Sequence, residues 1–274
     1  MHIPFRTACL ALTLALAGLA LPFARPAMAA TSACPQFFPG GQPPLLVNAR
    51  LRPRTTPLCN DGYAMLASGI TRGPLWSAEH LTAANVAAAR ETPRQGQFHP
   101  EGRLPPRDRA ELGDYRRSGY DRGHMTPSGD MPDAETQQQS FSLANMVPQA
   151  AVLNRGAWAD IESTVRDLAV QNNELFLVTG PAYSGGQVSA IGPGTVLVPT
   201  ATWKAVFDPR TGRSGAYLCT NTDTPQCQVM SVTQLARVAG VDPFPAASAA
   251  SKRTAVALPL PTPGGARAAR RGRG

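Results

Sequence analysis

Apolar and polar positions divide the chain into two strand-rich regions with a polar middle. Residues 62–68 form a short, largely apolar run, and residues 75–81 read as its hairpin partner across Gly73-Pro74. Residues 85–90 are alanine-rich and fit a short helix or an irregular stretch. Prolines and glycines break up residues 94–117, predicting a surface loop of the kind that carries function on a rigid scaffold. Residues 133–141 are polar and fit a turn of helix. Over 154–170, Trp158, Ile161, Val165 and Leu168 recur at helical spacing. Residues 175–181 read as a buried strand ended by Gly180-Pro181. A glycine-rich loop, 184–194, precedes two further strands at 195–200 and 203–207. Residues 228–232 suggest a short strand and 235–238 a short helix. The stretch 31–57 should run extended over the surface, with Leu45-Leu46-Val47 as an edge strand.

The ends change the picture. Residues 1–30 have a charged start at His2 and Arg6, an apolar run over 8–21 and the small-residue pattern Ala27-Met28-Ala29. This is the layout of an export signal, and the run is too short and wrongly flanked for a membrane span. The expected mature protein is exported, periplasmic or secreted, and free of the membrane. The expected organisation is a signal at 1–30, an arm at 31–57, a main domain at 58–250 and a basic, disordered tail at 251–274. Of five cysteines, Cys9 leaves with the signal. The other four favour two local disulfides, Cys34–Cys59 and Cys219–Cys227. A zinc site is the weaker reading, since no Cys-x-x-Cys and no nearby histidine accompany them.

The chain carries 26 Lys+Arg against 18 Asp+Glu. The excess lies in the signal and in the tail after Ser251, so residues 31–251 balance at 18 against 18. High basicity alone therefore does not mark a nucleic-acid-binding domain. Arginines do gather between Arg90 and Arg122, with no lysine among them, and their planar fork suits phosphate. A solvated surface is the plainer reading, because Glu101, Asp108, Glu111 and Asp114 are interleaved.

The densest chemistry lies in Asp121-Arg122-Gly123-His124. In a strand, Arg122 and His124 point to one face, a cation beside a proton acceptor. Further on, Asn154, Trp158 and Glu162 are spaced by fours, one stripe of a helix. An amide oxygen and a carboxylate there could face a hard cation. Asp121–His124, then Ser140-Phe141 with Asn145-x-x-Pro148-Gln149, then Asn154-x-x-x-Trp158-x-x-x-Glu162 resemble, in order and spacing, the DNA/RNA non-specific endonucleases. These are ββα-metal (His-Me finger) nucleases and include secreted bacterial nucleases and endonuclease G.

The resemblance implies an α+β fold with a central antiparallel sheet flanked by helices and a ββα-metal active-site motif. It implies hydrolysis of DNA and RNA to 5′-phosphate ends, with both substrates held through phosphates, and often a homodimer. It implies Mg²⁺, with Mn²⁺ as the alternative ion. His124 would be the general base and Asn154 the metal ligand. Glu162 would hold the waters around that ion, and Arg122 would neutralise developing charge. Arg94 maps to the family's upstream arginine, with Arg90 as rival, and Glu101 stands where the family usually has Asp. Asn145 would position the loop or a ligand. Plainer roles exist for each. Glu162 could pair with Arg166 at i+4, Asn145 could be a turn residue, and Asp121 should accept backbone hydrogen bonds. Trp158 should be core, and His80 and His99 surface residues. An inactive nucleic-acid-binding protein and a nuclease toxin with an immunity partner are the competing functions.

Overall fold

The structure, a computed structural model, describes residues 1–2, 33–185 and 188–261. The expected signal, apart from its first two residues, and the arginine-rich end beyond 261 lie outside the described residues. The fold described is that of the unit Thr31–Gly274.

In chain order the strands are β1 Leu45–Leu46, β2 Thr55–Cys59, β3 Ala64–Ser68, β4 Gly73–Thr82, β5 Asp121–His124, β6 Met146–Gln149 and β7 Glu174–Ala182. They continue with β8 Ala190–Ile191, β9 Val196–Leu197, β10 Ala201–Asp208, β11 Arg213–Thr220, β12 Cys227–Met230 and β13 Val241–Asp242. The helices are α1 Ala83–Glu91, α2 Leu112–Tyr115, α3 Ala134–Ser140, α4 Ala151–Arg155, α5 Ala157–Asn172, α6 Val232–Ala239 and α7 Ala249–Arg253.

Seven strands form one antiparallel sheet in the order β12-β11-β10-β7-β4-β3-β2. This is the expected α+β architecture. Alternation along β10 explains its two covered faces. Trp203 and Ala205 join Phe38, Trp76, Leu235 and Phe244 on one side. Val206 joins Leu177, Trp158, Ile161 and Val165 on the other, beneath α5. Trp158 is therefore core, as expected, and burying an apolar side chain of this size contributes roughly 1.5–3 kcal/mol.

Four local expectations differ. Residues 31–57 do not simply run over the surface: Phe37 and Phe38 are buried in the core, and Thr55–Cys59 is an edge strand of the main sheet. Pro57 lies within that strand, and proline is tolerated at an edge because it has no ladder proton to donate. The strand expected over 195–200 shrinks to Val196–Leu197. The helix expected over 154–170 is two helices, broken at Gly156 with φ −117° and ψ −111°. Residues 251–261 are not a loose tail. Val256 donates to Ser214 at 2.8 Å, Tyr217 donates to the Pro259 carbonyl at 2.9 Å, and Lys252 pairs with Asp242 at 2.8 Å. Both expected disulfides, Cys34–Cys59 and Cys219–Cys227, are present.

Candidate active site

Strands β5 and β6 pair apart from the main sheet, and α4 and α5 follow directly. In the ladder Arg122 faces Pro148, Gly123 faces Val147 and His124 faces Met146. Arg122 and His124 project together into a cleft of about 1010 Å³. Gly123 turns the other way. A Cβ there would lie 2.6 Å from Cβ of the fully buried Gln149, so a larger residue would push β5 off its partner.

His124 is 8% exposed. Its ring lies 5.0 Å from Phe141, nearly perpendicular, and 5.8 Å from Phe98. Its Nε2 is buried without a hydrogen-bond partner. Burial, and then the Arg94 charge, push its pKa down to about 3. The imidazole is therefore neutral across the neutral pH range and able to accept a proton.

The Arg122 guanidinium stacks over Phe98 at 4.9 Å and Tyr115 at 5.5 Å. Its Nη2 donates to the Leu112 carbonyl at 3.4 Å, and its Nε is buried and unpaired. Arg94 donates to Ser128 Oγ at 2.7 Å, lies 5.0 Å over the Phe141 ring and lines the cleft. Arg90 is exposed, pairs with Asp167 at 2.8 Å and does not line it.

Asp121 organises the far wall. It accepts both prongs of the Arg155 fork, at 2.7 and 2.6 Å, and the Asn154 Nδ2 at 2.9 Å. Its partners are thus side chains, not the expected backbone groups, because Arg155 and Asn154 arrive from α4 with free donors. The Arg155 bonds are the main cause holding its carboxyl below the ordinary carboxylate range. Donation by Nδ2 fixes the Asn154 amide and turns Oδ1 away from Asp121.

Glu162 lines the same cleft and makes no hydrogen bond among the described residues. Burial raises its pKa to about 7 against the lowering charges of Lys204 and Arg166. The i+4 pair with Arg166 does not form. Arg166 instead donates to Asp130 at 2.8 Å and adds a cation to the cleft that the sequence reading left in the helix surface.

Asn145 does not line the cleft. It is fully buried, and its Oδ1 accepts from the Thr126 N–H at 3.0 Å. Its Nδ2 donates to the Thr126 and Ser140 carbonyls, both at 2.9 Å. It clamps the chain just after His124 and holds that loop. His80 and His99 are half-buried, not surface residues. His80 stacks on Phe176 at 4.2 Å, and His99 bonds the Pro100 and Gln138 carbonyls. Neither lines the cleft.

The cleft brings together Arg94, Arg122, His124, Asn154 and Glu162 of the expected set and leaves Asn145 behind it. No cluster of three or more His, Cys, Asp or Glu among the described residues could hold a metal. One oriented amide oxygen beside an unpaired carboxylate does fit a hard cation that keeps most of its waters.

The chain is similar to known proteins in sequence and in fold. The family model for DNA/RNA non-specific endonuclease matches residues 47–250. "Nuclease 1, mitochondrial" of Schizosaccharomyces pombe is 34% identical over 165 residues, covering 56% of this chain and 51% of that protein. A nuclease of Nostoc sp. is 33% identical over 180 residues, covering 64% of each. The chain thus spans about half the length of the first of these relatives. A chain of the solved EndoG/EndoGI complex superposes with a TM-score of 0.64 at 28% identity, covering 69% of this chain and 86% of that one. On the match over 47–250, which contains every residue of the cleft, the chain belongs to the DNA/RNA non-specific endonuclease family.

Proposed function

We propose that the chain is an exported endonuclease, dependent on a divalent cation, that hydrolyses phosphodiester bonds of DNA and RNA to leave 5′-phosphate ends. The observation that carries this is the convergence of a neutral, buried histidine, two arginines, an oriented amide oxygen and an unpaired carboxylate on one cleft. Hydrolysis needs a base for water, positive charge opposite the developing negative charge, and stabilisation of the leaving 3′-oxygen.

His124 takes the proton from the attacking water as general base, the water oxygen bonds to phosphorus, and the 3′-oxygen departs with the P–O3′ electron pair and takes a proton from solvent. A phosphate drawn in beside His124 would raise its pKa toward neutrality, where a general base is most effective. Arg122, fixed between aromatic rings, and Arg94, anchored on Ser128, place charge where it develops without reorganising. Asn154 would hold the cation through Oδ1, and Glu162 would accept hydrogen bonds from its waters. When bound there, Mg²⁺, or Mn²⁺ as the alternative, would supply charge stabilisation to the leaving oxygen. No contact in this scheme reads a base, and the phosphate backbone carries no sequence information. No step needs a 2′-hydroxyl, which accords with cleavage of both DNA and RNA.

The test is digestion of plasmid DNA and total RNA by the oxidised protein, with Mg²⁺ or with EDTA, followed by end-group analysis. Metal-dependent cleavage of both substrates to 5′-phosphates is expected. A folded protein that binds both without cutting either would establish the binding-protein reading instead. Export predicts that mass spectrometry of the protein recovered outside the cytoplasm finds a new N-terminus near residue 30. Light scattering tests the homodimer.

A further inference from the structure

Strands β5 and β6 share no ladder with the seven-stranded sheet, so side chains must fix one against the other. At the corner where β6 passes into α4, Asn221 does so. It follows directly on the end of β11 and is 8% exposed. Its Oδ1 accepts from the Ala150 N–H at 2.8 Å. Its Nδ2 donates to the Pro148 and Pro199 carbonyls, both at 2.9 Å. Its own N–H donates to the Thr200 carbonyl at 2.9 Å. Both amide protons meet carbonyls and the oxygen meets an N–H, so this amide fits one way round only.

The groups it grips lead straight to the cleft. Pro148 stands opposite Arg122 in the β5–β6 ladder. Ala150 is the N-cap of α4 and supplies no side-chain cap of its own. The Ala150 carbonyl accepts from the Asn154 N–H at 2.9 Å. One residue thus links Asn221 to Asn154, with a hydrogen bond on each side. Asp121, at 2.9 Å from Nδ2, decides which way the Asn154 amide turns. Asn221 decides where the helical turn that carries that amide stands.

The loop that presents Asn221 is itself tied. Cys219 and Cys227 face each other in the β11–β12 ladder and are joined by a disulfide. Inside the bridge the Thr220 N–H donates to the Gln226 carbonyl at 3.0 Å, and the Gln226 N–H donates to Thr220 Oγ1 at 2.9 Å. With the loop closed two residues away, holding Asn221 in place costs little further entropy.

We propose that Asn221 is a positioning residue for the cleft: it registers the β6–α4 corner on the main sheet and so places the Asn154 amide oxygen for a divalent cation, with the Cys219–Cys227 bridge holding the clamp. The consequence for cation and cleavage rests on the nuclease reading above, whereas the clamp on α4 does not.

The experiment measures amide hydrogen exchange by NMR in metal-free, disulfide-intact protein, and Mn²⁺ binding by electron paramagnetic resonance, in wild type and Asn221→Ala. The Ala150 and Asn154 amides should exchange about five-fold faster or more in the variant, as expected for one lost hydrogen bond. The Kd for Mn²⁺ should rise about ten-fold, the usual loss when a residue that orients a metal ligand is removed. The Mg²⁺ concentration for half-maximal plasmid cleavage should rise by a similar factor, with a smaller change in KM for DNA at saturating Mg²⁺. Phe244→Leu, in the core on the other face of the sheet, should lower Tm and leave both amides and the Mn²⁺ affinity unchanged. A folded Asn221→Ala with wild-type exchange at those amides, or with wild-type Mn²⁺ affinity, would overturn the proposal. So would an equal loss of Mn²⁺ affinity in Phe244→Leu, or a wild type that binds no Mn²⁺. If Asn221→Ala fails to fold, the double variant Cys219→Ala with Cys227→Ala opens the loop and keeps Cys34–Cys59. It should move exchange and Mn²⁺ binding in the same direction, and unmoved values there would also overturn the proposal. Faster exchange and weaker Mn²⁺ binding in a protein that never cleaves would support the clamp and remove the nuclease reading.

Discussion

Replacing Asn145 with alanine separates a clamp from a group that acts on substrate. The amide is fully buried and makes three hydrogen bonds, to the Thr126 N–H and to the Thr126 and Ser140 carbonyls. Alanine leaves those three backbone groups without these partners in a site closed to bulk water. At about 1 kcal/mol for each bond, the variant should lose on the order of 3 kcal/mol. For a chain of this size that is a fall in Tm of roughly 6–12 °C. Thr126 lies two residues from His124, so cleavage should also fall, through loss of placement. The assay pairs thermal denaturation with kcat and KM on plasmid DNA. Well below the variant's Tm, part of the activity should remain. A variant with wild-type Tm and no cleavage would refute the clamp and put Asn145 on the substrate.

Other outcomes follow from the same geometry. Gly123→Ala should cost about 2 kcal/mol through overpacking against Gln149, and Gly123→Ala with Gln149→Gly should recover part of that loss; strictly additive melting shifts would contradict the contact. Arg94→Ala should lower kcat on the order of 10²-fold, whereas Arg90→Ala, at an exposed pair outside the cleft, should leave it nearly unchanged; equal losses would reverse the assignment. The raised Glu162 pKa implies that metal-free wild type loses stability relative to Glu162→Gln as pH rises from 4.5 to about 7. The depressed His124 pKa acts in the opposite sense, with stability lost as pH falls from 6.5 to about 3, so the difference in Tm between the two proteins across that window is the quantity to measure.

Much of the fold was readable because short apolar runs report burial directly. The β3–β4 hairpin and the buried strands β7 and β10 all stand where the pattern places them. The pattern does not mark β11 because Gly215 lies within it, nor β2 because of Pro57. The break at Gly156 was hidden by helical spacing that continues past it, from Trp158 onward, although a glycine between Asn154 and Trp158 was a visible signal.

The site divides in the same way. Its motif residues are close in sequence, so spacing locates them. Arg166 was misassigned because its partner, Asp130, is 36 positions away, beyond what helical spacing can reveal. Glu79 and Lys204 come to one face of the sheet only through the register of β4, β7 and β10, which no local pattern encodes. Asn145 sits in a motif of the resembled family, but a motif does not say whether an amide faces the cleft or the core.

The most direct test compares His124→Ala with wild type in Mg²⁺, on plasmid DNA and on RNA, with both proteins shown to be folded by their melting curves. The account predicts that cleavage of both substrates is lost together by a factor of about 10² or more while binding to DNA in EDTA persists. Cleavage at near wild-type rate in the folded variant would mean that the proton is taken elsewhere, and that the buried histidine of β5 is not the base.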